Sequence, residues 1–208
     1  GRAVQYGTLR VMMDMGMAQV ISQEPMLTFK ERYPQVELAL EEHREHNCKR
    51  LVRENEADMG LTISAECDES LHCVRICDIY AEVLVNKRNP LAKKSIITVE
   101  ELDSEKIVYT NTASYYAFIR EYAGIGSTPD VLVAISESKT SLGYVQNNYG
   151  VCPAVYTSRR REQKPPEGIV AVPYQGKKQL MLIGYSVKER AQNPLVQLFI
   201  DHLNGYFR

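Results

Sequence analysis

Residues 7–40 read GTLRVMMDMGMAQVISQEPMLTFKERYPQVELAL, and this stretch decides the fold. Leu9, Val11 and Met13 fall at every second position, the period of a strand with one buried face. An apolar helical stretch follows from Met17 to Arg32. Pro25 interrupts it, and proline fits there only as a helix start or a kink because it has no N–H to give. Tyr33-Pro34 ends the helix, since the residue before proline is pushed out of helical geometry. Val36, Leu38 and Leu40 then alternate with Glu37 and Glu41, giving a second strand with a charged side. Strand, helix and strand in this order predict a crossover between parallel strands.

The same alternation continues outward. Glu45/Lys49 and Arg50/Glu54 stand four apart, as exposed pairs on a helix do. Asp58–Ser64 (DMGLTIS) and Tyr80–Asn86 (YAEVLVN) read as strands. Thr98-Val99-Glu100-Glu101 has capping-box spacing and predicts a short helix. Lys106–Thr110 is strand-like, and a helix capped by Asn111, Thr112 or Ser114 should run to Tyr122. Val131, Val133 and Ile135 alternate. A helix is expected from Ser138 to about Asn147. Further strands are expected at Val151–Tyr156, Ile169–Val172 and Gln179–Val187. Asn193-Pro194 is a strong helix start, followed by the stripe Leu195, Leu198, Phe199, Leu203 and Phe207. The pattern occurs once before Asn86 and again after Lys106, which predicts two α/β lobes.

Composition narrows the function. The 208 residues carry 25 Lys plus Arg against 26 Asp plus Glu, a net charge of -1, which argues against electrostatic binding of nucleic acid by this segment. No run reaches the ~18 apolar residues that would span a bilayer. Five cysteines cannot all pair within one chain, and with no secretory signal in view this favours the cytoplasm. The chain opens on Gly1-Arg2-Ala3, which reads as a cut-off start.

Enzyme motifs are absent: no G-x-S-x-G elbow, no phosphate-binding Walker loop and no G-x-G-x-x-G. His43, His46, His72 and His202 form no H-E-x-x-H. Cys67, Cys73 and Cys77 lack the paired C-x₂₋₄-C spacing of a zinc site, and Cys73, Cys77 and Cys152 read as small core hydrophobes. No metal, no cofactor and no disulfide are expected. Arg159–Arg161 reads as a solvated loop. The turns at strand ends are more informative, because ligands of open α/β sheets bind beyond the carboxyl ends of strands. Three such turns are polar or flexible: Asp14-Met15-Gly16-Met17, Thr110–Ser114 and Ser136–Thr140. Exposed N–H groups at helix starts suit a carboxylate. For each residue alone, capping its own helix explains it equally well.

Several segments, in order, resemble the effector-binding domain of a LysR-type transcriptional regulator. They are TLRV leading to PMLTFKERYPQVELALEE, with Phe29, Tyr33 and Pro34 in F-x-x-x-Y-P spacing; LVRENEADMGLTIS, with Asp58 in the acidic place; YAEVLVNKRNPLAKKSIITVEEL; LGYVQNNYGVCPAVY, with Asn148 where a glycine is usual; and NPLVQLFIDHL. The resemblance implies a two-lobed fold like type 2 periplasmic binding proteins, with mixed, mostly parallel sheets joined by two crossing strands near Tyr80–Lys87 and Gln179–Val187. Lobe I would be 1–87 plus 184–208 and lobe II 88–183. The winged helix-turn-helix that reads DNA would precede Gly1. The implied function is ligand sensing without catalysis: a small effector, carrying a carboxylate, held between the lobes by Met15, Gly16, Met17, Thr62, Ser64, Asn111, Thr112, Ser114, Lys139 and Thr140. The implied partners are that effector and a second copy, a homodimer that could extend to a tetramer in the full-length protein. Residues Met17–Leu40 would face the partner's helix near Lys139–Asn147. A secreted solute-binding protein with the same fold is the rival reading, and an odd cysteine count argues against it.

Overall fold

A computed structural model describes residues 5–109, 130–134, 138–159 and 164–208. The opening stretch forms β1 (Gly7–Asp14), α1 (Met17–Ile21), α2 (Glu24–Arg32) and β2 (Val36–His43). After it come α3 (Glu45–Arg53), β3 (Met59–Ser64), β4 (His72–Asn86), β5 (Ile97–Thr98), β6 (Lys106–Tyr109), β7 (Asp130–Ala134), α4 (Ser138–Gln146), β8 (Cys152–Thr157), β9 (Ile169–Gln175), β10 (Leu180–Ser186) and α5 (Pro194–Tyr206). The helix expected over Met17–Arg32 is two helices. Ser22 takes φ 70° between them, and Pro25 sits in the first turn of α2, where a missing N–H costs nothing. The capping box at Thr98 instead yields the two-residue β5 and a 3₁₀ turn over Glu100–Leu102. The helix expected over 111–122 lies outside the described residues.

The chain forms two compact units, Gly1–Asp78 with Leu180–Arg208, and Ile79–Gln179. In the first, the strands lie in the order β2-β1-β3-β10-β4. β1 runs parallel to β2 and to β3, and β10 runs antiparallel to β3. The edge position of β2 suits its Glu37 and Glu41.

β1 is buried on both faces. Leu9 and Val11 have no exposure and point one way; Met12, at 1%, points the other. Phe29 of α2 meets Phe199 of α5 edge-on, with ring centroids 5.1 Å apart. Each such side chain contributes about 1.5–3 kcal/mol by leaving water. The Met12 face packs on Cys48 and Val52 of α3 and on Tyr185 of β10. Asp58 links β1 to the C-terminal segment: its carboxylate accepts from the Arg10 N–H at 2.8 Å and from Arg190 at 2.9 Å. The Asn193 side chain accepts from the Leu195 and Val196 N–H groups and caps α5, worth about 1 kcal/mol.

In the second unit, β4 pairs antiparallel with β8 and β9, β9 pairs parallel with β5, and β6 pairs parallel with β7. Val83, Val85, Ile97, Leu102, Ile107 and Val151 form its core. Buried Asn86 donates to the Val145 and Gln146 carbonyls at 3.2 and 2.8 Å, satisfying the end of α4.

Gly60 lies under the Tyr185 ring, and a Cβ there would fall within it. Gly60→Ala should therefore cost about 3 kcal/mol, the upper range for forcing extra volume into a packed core. Gly143 in α4 has open space around a would-be Cβ, so Gly143→Ala should stabilise by about 0.5–1 kcal/mol. Urea unfolding midpoints should move in opposite directions for the two variants.

Candidate functional site

The carboxyl ends of β1 and β3 lie side by side, with Met13 opposite Leu61. β1 ends on Asp14, which is 4% exposed, and a buried carboxylate must be hydrogen-bonded to be tolerated. Thr62 supplies the bond, its hydroxyl donating to Asp14 Oδ2 at 2.6 Å. Two more proton-bearing groups close in around it. The Cys48 thiol donates to the Met13 and His43 carbonyls at 3.3 and 3.4 Å. Burial first, and Asp14 next, push that thiol up to about 12. The Tyr185 hydroxyl is buried, and burial followed by Asp14 raises it far above the usual phenol range. These groups hold their protons at neutral pH, and a buried thiol of this kind is inert as a nucleophile.

The turn after β1 is shaped by Gly16, whose φ of +85° is comfortable only without a side chain. The N–H groups there were expected to face an anionic ligand. The chain itself fills that role: the Glu42 carboxylate of β2 accepts from the Ala18 N–H at 3.0 Å and from the Gly16 N–H at 3.4 Å. α1 thus begins on a built-in negative charge, as the N–H groups of a helix start favour. Met17, expected to line the site, is fully buried instead, because as the first residue of α1 it turns into the core. Met15 and Gly16 remain half-buried on the turn.

Beyond the end of β3, Thr62 and Ser64 line one small cavity with Glu45, Lys49, Cys67 and Tyr185. Its volume of about 20 Å³ admits roughly one water. Ser64 Oγ accepts from the Glu66 N–H at 3.2 Å and so shapes the loop that follows. Asp68, at the rim, accepts from Ser70 N–H at 3.0 Å and Oγ at 2.6 Å, and pairs with Arg53 at 2.9 Å. The Ser70 bonds are the main reason its carboxyl is lowered to about 2.

The structure thus brings Thr62 and Ser64 together, sets Met15 and Gly16 on the neighbouring turn and removes Met17. Lys139 and Thr140 are exposed in the first turn of α4, in the second unit. Asn111, Thr112 and Ser114 lie outside the described residues. Asp14 was named in the sequence only as part of its strand-end turn and not as a site residue, and Glu42 and Tyr185 were not named at all. Asp14 had a signal, a charge directly closing an apolar strand; Glu42 and Tyr185 had none, since their roles depend on sheet register. Among the described residues no cluster of three or more His, Cys, Asp and Glu side chains could hold a metal ion. Likewise no helix among them is long and apolar enough to cross a membrane. Elsewhere on the first unit, Met13, Ala18, Met26, Leu27 and Leu40 line an apolar groove of about 250 Å³.

A family model described as the LysR substrate binding domain matches residues 2–208. An uncharacterized HTH-type transcriptional regulator of Bacillus subtilis, YvbU, is 24% identical over 123 residues, 59% of this chain and 41% of its own length. The match to a second such regulator, YbhD of Escherichia coli, covers 39% of that protein, so the chain spans about two-fifths of these curated relatives. The C-terminal domain of a probable LysR family transcriptional regulator from Rhodococcus sp. RHA1 superposes with a TM-score of 0.77 at 16% identity, over 96% of this chain and 99% of that one. The effector binding domain of QuiR, in complex with shikimate, superposes with a TM-score of 0.73 at 13% identity, over 98% of each chain. The fold is therefore that of LysR regulatory domains, related to type 2 periplasmic binding proteins.

Asp68 provides a test of the cavity rim. Its folded carboxyl lies below the ordinary value of 3.8, so it contributes stability above pH 3.8 that is lost as pH falls toward 2. Asp68→Asn lacks that contribution at every pH. The stability gap between the two proteins, measured by urea unfolding, should narrow from pH 4 to pH 2.

Proposed function

The chain belongs to the LysR substrate binding domain family, and from that premise we propose that it senses a small organic effector for a DNA-binding transcription regulator. The match over residues 2–208 carries this reading. DNA would be read by a winged helix-turn-helix outside the 208 residues, and the whole would work in the cytoplasm. The cluster at the end of β1 supports sensing over catalysis, since Cys48 and Tyr185 hold their protons and Asp14 is engaged by Thr62. The first unit contributes the half-buried Met15 thioether and the Ser64 hydroxyl to the effector, with Thr62 and Asp14 holding the strand ends behind them. A carboxylate on the effector would fall to Lys139 and Thr140 rather than to the start of α1, which Glu42 already fills. A ligand shifts the regulator only by its differential affinity for two states.

We propose in addition that two copies associate through the groove lined by Met26 and Leu27. Leu27 is 57% exposed there, and α4 of the partner is the proposed occupant. C₂ pairing is the commonest oligomer symmetry.

A thermal-shift screen of small hydroxylated and aromatic carboxylic acids, shikimate among them, tests the reading. At least one should raise the melting temperature, and Met15→Ala or Ser64→Ala should weaken its binding by about tenfold, roughly 1.4 kcal/mol. The same preparation should sediment near twice 23.7 kDa, and Leu27→Glu should halve that mass. Binding by no acid in the panel, or equal binding by both variants, would reject the assigned site.

A further inference from the structure

Tyr185 is 1% exposed, and its hydroxyl has no hydrogen-bond partner among the described residues. A buried hydroxyl in this position costs stability unless something outside the chain meets it. The ring cannot swing aside to find another partner. Tyr185 of β10 stands opposite Gly60 of β3, and its ring fills the place where a Gly60 side chain would be. Gly60, Thr62 and Ser64 share one face of β3, because side chains alternate along a strand. The hydroxyl end of the ring therefore lies over the face that carries Thr62 and Ser64, and Tyr185 lines the cavity of about 20 Å³ together with them. Glu45 and Lys49 of α3 and Asp68 of the following segment line it as well. Lys49 Nζ stands 3.6 Å from Glu45 and 3.5 Å from Asp68. These are long for direct hydrogen bonds and are the spacing at which water bridges polar groups.

We propose that this cavity is a permanent site for one water molecule, held by the Tyr185 hydroxyl and bridging β10, β3 and α3. The volume admits one water and no larger solute. An apolar cavity stays dry, but this one offers hydroxyls, carboxylates and an ammonium, and a buried water needs only two to four such partners. The water accepts from Tyr185 and donates to oxygens around it. Thr62 gives its own proton to Asp14 and keeps lone pairs with which to accept. Ser64 accepts from the Glu66 N–H and keeps its proton to donate. The strand ends beside Met15 are thus tied to α3 through a solvent molecule that belongs to the fold. The water is held whether or not an effector binds.

The test uses the 208-residue chain and Tyr185→Phe, which keeps the ring and removes only the hydroxyl. A crystal structure of the native protein should show one density peak in the cavity at about 2.6–3.2 Å from Tyr185 Oη. Oxygen-17 relaxation dispersion should count one long-lived water fewer in Tyr185→Phe than in the native protein. Urea unfolding of the variant should show an unfolding equilibrium constant raised roughly fivefold, the effect of one lost hydrogen bond. A hydroxyl that met nothing would give the opposite sign, because removing it would relieve its burial. Three results would overturn the proposal: no peak beside Tyr185, a peak that appears only with sodium in the buffer, or a variant at least as stable as the native protein with an unchanged count of long-lived waters.

Discussion

β1 must be covered on both faces, and most of the first unit follows from that constraint. Leu9 and Val11 on one side and Met12 on the other have almost no exposure. A strand of this kind cannot sit at the edge of a sheet or face water on one side. It therefore takes parallel neighbours on both edges, β2 and β3. Helices must close both faces: α2 and α5 meet through Phe29 and Phe199, and α3 packs over Met12 with Tyr185 beside it. Gly60 is glycine because the Tyr185 ring occupies the volume that a side chain would need.

The chemistry of the site is a consequence of the same burial. The last residue of β1 is a carboxylate carried inside by its strand, and it is tolerated because Thr62 on the adjacent strand donates to it at 2.6 Å. The turn that follows places a helix start beside β2, where Glu42 satisfies its N–H groups. The first unit thus has the Ser64 hydroxyl and the Met15 thioether at its strand ends, while Asp14 and Glu42 are engaged by its own side chains and backbone. Such a surface suits recognition of an uncharged, hydroxylated part of a molecule more than capture of an anion.

Much of this was legible in the sequence. The period-2 runs at Leu9–Met13, Val36–Leu40 and Met59–Ile63 each became strands, and Asn193-Pro194 became the capped start of α5. The failures have physical causes. Pro25 was recognised as a break, but where the helix restarts depends on Ser22 adopting a positive φ of 70°, which no local propensity dictates. The first half of β4, His72–Asp78, was missed because its outward positions carry mixed polar residues and cysteines that blur the alternation. Met15 and Met17 were treated alike, yet two residues of helix rotation put one on the turn and the other in the core. Glu42 and Tyr185 act at the site only through the parallel register of β2 and the antiparallel register of β10, pairings between segments far apart in the chain.

The central claim is that the strand-end turn around Met15 senses a small molecule. Methyl-labelled methionine NMR tests it most directly, because Met15 is half-buried on the turn and Met17 is sealed in the core two residues away. On titration with the hydroxylated carboxylic acids, the account predicts that the Met15 methyl resonance shifts with saturation while that of Met17 stays near its place. Saturable binding that leaves Met15 unmoved, or that moves Met17 alone, would contradict it.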